Sequence, residues 1–258
     1  KRYRAEITRL RSLLNMVADI YQYPQAKDLI LNRDIPPDIK PEFKVYSDEE
    51  LKRFNAFLAK VDIQTARMLT IHQMLGTRIS DTMTLRTDCL MEQNGDTLIR
   101  IYQMKTHYYE KTISQELAAL IREAIRYTEE KYGKCKYIFA NEADPTKPML
   151  YSSVQGRITW TIHNENLRDD AGNYFTFGTH MYRHVYGVKL AEMHLDDWTI
   201  ARLLGHKSLK NVKYYRKMSN MILANDTRKT RNRLSQMVLE CLDGWEEEYE
   251  QIRYDDSL

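Results

Sequence analysis

The chain has 258 residues, 43% of them hydrophobic and 29% charged, with a formal net charge of +3, which is enough for one sizeable core plus an appendage. Its apolar runs are broken by Lys, Arg or Glu within a few residues, so nothing approaches the roughly 18 to 20 residues of a membrane span, and no signal peptide is visible. Cys89, Cys135 and Cys241 are odd in number and far apart, with no C-x-x-C pair. That leaves no signal for zinc or a redox couple, and a reducing, intracellular setting is the simpler expectation.

The first segment, KRYRAEITRLRSLLNMVADIY, sets Ile7, Leu10, Leu13, Leu14, Val17 and Ile20 at helical spacing. It opens without methionine or cap, as the last helix of a truncated N-terminal module would, and we assign residues 1–30 to such a module. Three prolines and alternating charges in LNRDIPPDIKPEFKV make residues 31–45 an extended linker. The compact domain is expected from Tyr46 onward, over residues 46–258. Ser47 before DEELKRFNAFL reads as an N-cap, and IQTARMLTIHQML reads as a core helix ending at Gly76. TLIRIYQMK and YYEKTIS alternate on either side of a turn near Thr106, which predicts a hairpin with Lys105 at its tip. Helices are predicted over 115–132, 152–168, 179–193 and 196–204, then a basic helix with Tyr214 and Tyr215, then a long amphipathic C-terminal helix and tail over about 220–258. The fold class is mainly α with a small antiparallel β-sheet (α+β).

Charge is distributed unevenly. From Arg202 to Arg233 there are ten Lys or Arg against Asp226, whereas from Glu240 to Asp256 eight acids face Arg253. The cationic stretch suits phosphate, and the acidic one suits a basic partner surface. In THMYRHVYGV, Thr179 reads as an N-cap, and His180, Arg183 and His184 stand one turn apart on one side of a helix. Such a group could be a metal pair, a phosphate clamp or a pair of satisfied structural histidines. The zinc-protease pattern requires Glu after the first His, but position 181 is Met, and no third ligand is evident.

GTRISDTMTL, THMYRH and LGHKSLKNVKYY occur in that order, and with them the chain resembles the tyrosine recombinases, the phage integrase family of DNA strand-exchange enzymes. The family pattern is an Arg with an acid three residues on, a hairpin Lys, H-x-x-R-H, L-G-H, and a nucleophilic Tyr nine residues beyond that His. Arg78 with Asp81, Lys105, His180, Arg183, His206 and Tyr215 fill it in order. The resemblance covers about residues 46–220. No single motif is specific in a chain with eighteen tyrosines, but the ordered set is.

The resemblance implies the catalytic-domain fold of that family and a site-specific recombinase that cleaves and rejoins DNA through a 3′-phosphotyrosyl bond. It implies Tyr215 as nucleophile, His180 as base, Lys105 as general acid, and Arg78, Arg183 and His206 as donors to the phosphate, with Asp81 orienting the cluster. No metal or cofactor is expected. Elementary chemistry runs in parallel: a pentacoordinate phosphorus gathers negative charge, and guanidinium groups fork across two of its oxygens. Adjacent residues on a helix diverge by about 100°, so only one of Tyr214 and Tyr215 can face that phosphate. Lys207, Lys210, Lys213 and Arg216 are expected DNA-backbone contacts. The implied partners are double-stranded DNA with specific recombination sites and a homo-oligomer, a tetramer on paired sites, in which the acidic tail docks on a neighbour; no membrane is expected. The implied setting is the cytoplasm of a bacterium, on its nucleoid, with the protein serving a mobile element. The alternatives are type IB topoisomerase-like relaxation, separable by plasmid relaxation on random DNA, and a catalytically silent DNA-binding module, against which the complete residue set counts.

Overall fold

The computed structural model describes residues 2–37, 45–103 and 108–241. The chain divides into two compact units, Lys1–Phe43 and Lys44–Leu258. In the first, helix α1 (Arg2–Ile20) is followed by two short 3-10 turns, Pro24–Leu29 and Asn32–Asp34, with Ala18 and Ala26 buried. The acidic run beyond Cys241, including Leu242, Trp245, Tyr249 and Ile252, lies outside the described residues, as does Lys105.

The second unit is mainly helical around a three-stranded sheet. Helix α2 (Asp48–Phe57) starts at a full capping box, in which Ser47 Oγ accepts the Glu50 N–H at 3.1 Å and Glu50 Oε2 accepts the Ser47 N–H at 3.0 Å. Helix α3 (Ile63–Leu75) is capped by Asp62 and stops at Gly76, whose φ of 61° is left-handed. A side chain could not stand there, since a Cβ would lie 2.4 Å from the ring of Tyr186. The short helix α4 (Ile79–Met83) follows at once, with Arg78 as its N-cap residue.

Strands β1 (Leu90–Gln93), β2 (Asp96–Tyr102) and β3 (Tyr108–Ile113) form an antiparallel sheet in the order β1-β2-β3. The predicted β2–β3 pairing is present, with Ile99 opposite Lys111. β1 has no alternation of its own to reveal it. Its signal is Asn94-Gly95, both at positive φ, the turn chemistry of a tight hairpin. Thr97, Ile99 and Ile101 face a core shared with Phe54, Met68, Leu69, Leu75, Ile121, Phe139 and Tyr182.

The remaining helices are α5 (Gln115–Tyr132), α6 (Tyr151–Asn164), α7 (Thr179–Glu192), α8 (Asp197–Leu203), α9 (Val212–Asp226) and α10 (Arg228–Cys241). Two boundaries differ from the periodicity. α6 ends at Asn164, not near 168, because Asn166 takes a left-handed φ of 52° and the Leu167 N–H turns back to Ile162 O. Thr179 is the first residue of α7, and Gly178 is its N-cap. The Tyr46 hydroxyl fixes this junction, donating to Thr176 O at 2.8 Å and accepting the Gly178 N–H at 2.8 Å. Among the described residues no helix is long and apolar enough to cross a membrane.

Candidate active site

Five elements converge on one cluster: the α3–α4 turn, β3, α7, the α8–α9 loop and α9. At its centre is Arg183, 1% exposed. Its Nη1 donates to Gly76 O at 2.9 Å and its Nη2 to Leu204 O at 2.7 Å, so one guanidinium clasps the turn before Arg78 and the loop before His206. Burial lowers its pKa from the ordinary arginine value, yet an arginine stays charged at any physiological pH.

Tyr215 is 4% exposed and Tyr214 is 46% exposed, so α9 turns the second tyrosine inward. Burial raises the Tyr215 phenol pKa, against the opposing charge and hydrogen bond of Arg183 and the charge of Arg78. Its ring lies 6.2 Å from His206 and 6.2 Å from His184, centroid to centroid. Gly187 makes room for it: a Cβ there would come within 2.8 Å of the Tyr215 ring. Gly187→Ala is therefore expected to displace the phenol, costing about 1–3 kcal/mol and slowing any reaction at Tyr215 by about tenfold or more. Thermal melts and adduct formation on DNA measure the two effects.

Gly205 shows why Leu-Gly-His has its form. With φ at 62°, a Cβ would stand 2.5 Å from Gln103 Nε2 and 2.8 Å from the Tyr109 ring. Gln103, at the end of β2, donates to Gly205 O at 3.2 Å. Gln103 and Tyr109 belong to this site and had no signal in the sequence, because the sheet brings them to it from another part of the chain. Buried polar atoms without a hydrogen-bond partner among the described residues gather here: Asp81 Oδ2, Tyr109 Oη and His206 Nδ1.

Arg78 is half exposed, with Nη1 3.7 Å from Asp81 Oδ2, while Asp81 itself is buried and takes a 3.1 Å hydrogen bond from Ser80. Burial raises the Asp81 pKa, against Ser80 and both arginines. His180 and His206 are held to a pKa of about 4, first by desolvation and then by electrostatic repulsion from neighbours: His184, Arg183 and Arg78 for His180, and Arg183, Arg78 and His180 for His206. His184 lies between His180, 4.6 Å away, and Tyr215. Behind them His72 is fully buried, with Nε2 3.0 Å from Thr179 O and Nδ1 2.9 Å from Thr82 Oγ1. A carbonyl can only accept, which makes Nε2 the protonated nitrogen, and burial lowers this pKa also to about 4.

Three histidines are thus neutral in the folded chain down to about pH 4, whereas an unfolded chain protonates them near pH 6.5. Between those values the unfolded state binds more protons, so acidification through that window favours unfolding. The melting temperature is expected to hold above pH 6.5 and to fall progressively toward pH 4.

The outer cations divide into two groups. Lys207, Lys210 and Lys213 are exposed, and Lys213 Nζ stands 5.5 Å over the Tyr214 ring. Arg216, expected among them, is turned inward: its Nε meets Asp197 Oδ1 at 2.9 Å, and its other nitrogens reach Leu195 O and Ala191 O. It ties α9 to the α7–α8 junction, because a residue next to Tyr215 on this helix meets the neighbouring helix before it meets solvent.

The site thus gathers an inward phenol, a doubly anchored buried arginine, a second, half-exposed arginine, and histidines. Residues 44–221 match the phage integrase family, and the chain belongs to that family. It is 28% identical over 213 residues to transposase B from transposon Tn554 of Staphylococcus aureus, covering 81% of this chain and 33% of that protein. It is 26% identical over 186 residues to tyrosine recombinase XerH of Campylobacter jejuni, covering 70% of this chain and 49% of XerH. The chain thus spans a third to a half of the length of these relatives. Among solved structures, the XerH recombinase in a post-cleavage complex with palindromic difH substrate aligns with a TM-score of 0.59 at 19% identity, over 75% of this chain and 55% of that one. The Tn1549 transposon integrase in complex with circular intermediate DNA aligns at 0.59 with 14% identity, over 84% and 77%. The mainly helical fold with its small sheet is that of these catalytic domains.

Proposed function

We propose that this chain is the strand-cleaving part of a site-specific DNA recombinase of a bacterial mobile element, with Tyr215 as its nucleophile. The observation that carries this reading is the inward Tyr215 phenol, buried in the cluster built around the doubly anchored Arg183. In the step proposed, the Tyr215 oxygen forms a bond to phosphorus and the bond from phosphorus to the 5′-oxygen breaks, leaving a 3′-phosphotyrosyl linkage that conserves the energy of the broken bond. A phenol of ordinary pKa near 10 needs a base at pH 7. By the family pattern the proton is assigned to His180, which is neutral at pH 7 with a pKa lowered to about 4. Arg78 and Arg183 take the charge on the non-bridging oxygens, and His206 adds a hydrogen bond. Lys105 is the proposed proton donor to the departing 5′-oxygen, by the family pattern alone. The second half-reaction runs the same bonds in reverse from a partner strand's 5′-hydroxyl.

The proposed partners are double-stranded DNA carrying the element's recombination sites and further copies of the chain, four on paired sites, with the exposed Lys207, Lys210 and Lys213 against the backbone. The setting proposed is the bacterial cytoplasm, on the nucleoid. A topoisomerase reading has no observation of its own here, and the similar proteins are named as transposase and recombinase. The test is a set of nicked duplexes tiled across the ends of the element that encodes the chain, with the nick placed so that a cleaved fragment diffuses away. A denaturant-resistant protein–DNA adduct is the expected result. DNA binding without an adduct on any duplex would overturn the reading in favour of a silent module.

A further inference from the structure

The core face of the sheet carries a charged residue that hydrophobic alternation does not call for. Lys111, opposite Ile99 in register, is 8% exposed. Among the described residues no carboxylate pairs with it. Its Nζ donates to Leu75 O at 2.5 Å, stands 4.9 Å over the Tyr186 ring and lies 3.5 Å from the Tyr186 hydroxyl. Burial, and then the charge of Arg183, lower its pKa to about 7. An unpaired buried ammonium is unfavourable for folding, and an apolar residue of the same length would pack here at less cost.

What the ammonium holds is specific. Leu75 is the last residue of α3, so its carbonyl has no partner within the helix, and a cation is the favoured group at that end. Gly76 follows, with its Cα against the Tyr186 ring and its carbonyl on Arg183 Nη1. Arg78 comes two residues later and starts α4. The turn that presents Arg78 is therefore gripped on three sides, by Lys111 from β3 and by Tyr186 and Arg183 from α7.

We infer that Lys111 is a positioning residue for strand cleavage: by holding Leu75 O it sets the turn from which Arg78 and the Gly76-anchored Arg183 are aimed at one phosphate. It does not touch the reacting atoms. This inference rests on the strand-cleavage reading given above.

The experiment compares wild type with Lys111→Met, on the full chain and the same nicked duplexes, in single-turnover adduct formation over a range of DNA concentrations. Misplacing a positioned group costs rate more than binding. Lys111→Met is expected to slow the saturated rate by about tenfold or more, to leave the half-saturating DNA concentration within about threefold, and to remain folded, the lost donor to Leu75 O being offset by the removal of a buried ammonium. Lys111→Gln, shorter and uncharged, is scored by the same quantities should the methionine variant misfold. A wild-type rate in a folded variant would overturn the inference alone, as would failure of both variants to fold, which would make Lys111 a stability residue. No adduct from wild type itself would overturn the strand-cleavage reading and this inference with it.

Discussion

Tyr215→Phe is expected to abolish the covalent adduct on nicked DNA, a loss of about 10⁴-fold or more, while Tyr214→Phe stays within about twofold of wild type. The two residues are chain neighbours of the same type, so the contrast isolates position. Phenylalanine keeps the ring that packs against Gly187 and between His184 and His206. Only the oxygen is removed, and DNA binding and melting temperature should change little. Tyr214 is nearly half exposed beside Lys213. Denaturing gels of the two variants against wild type read the result. Adduct surviving in Tyr215→Phe and lost in Tyr214→Phe would reverse the assignment.

The second large effect separates the arginines. Lysine at either place keeps the charge but loses the planar fork, and a loss of about 10²-fold or more in cleavage rate is expected for both Arg78→Lys and Arg183→Lys. Their stabilities should differ. Arg183 donates to Gly76 O and Leu204 O deep in the unit, and an ammonium cannot span both, so at least one buried carbonyl loses its donor at about 1–3 kcal/mol. For a unit of this size that lowers the melting temperature by about 3–10 °C. Arg78 is half exposed with one long contact to Asp81, the kind of pair that contributes about 0–1 kcal/mol. Arg78→Lys should therefore melt like wild type. Calorimetry beside single-turnover cleavage distinguishes a residue that only meets the phosphate from one that also holds the site together.

The division of labour between Tyr214 and Tyr215 shows how far the sequence could be read. Helix geometry required that only one face the site, and the spacing from His206, through the family resemblance, selected Tyr215. The structure leaves Tyr214 46% and Tyr215 4% exposed, so the two do face different ways. Ser47 as a cap and Gly76 as a stop were legible because capping and left-handed φ are local chemistry. Asn94-Gly95 marked the β1–β2 turn just as locally, though β1 itself alternates too little to be seen. The Arg216 contact with Asp197 was not legible, for the opposite reason. Its place in a basic run suggested solvent and phosphate, but Asp197 lies on a different helix that only packing brings alongside.

By itself, then, the sequence determined most of the helices, the β2–β3 pairing and, through the family resemblance, the ordered set of candidate residues from Arg78 to Tyr215, because periodicity, caps and motif spacing are properties of short stretches. Tertiary structure alone decided what lies between those residues. The Arg183 grip on two backbone carbonyls, the bare Cα atoms of Gly187 and Gly205 against Tyr215 and Tyr109, and the Lys111 contact with Leu75 O all join segments far apart in the chain. Their low-dielectric surroundings, which keep His180 and His206 neutral, arise only once those segments have closed over one another and excluded water.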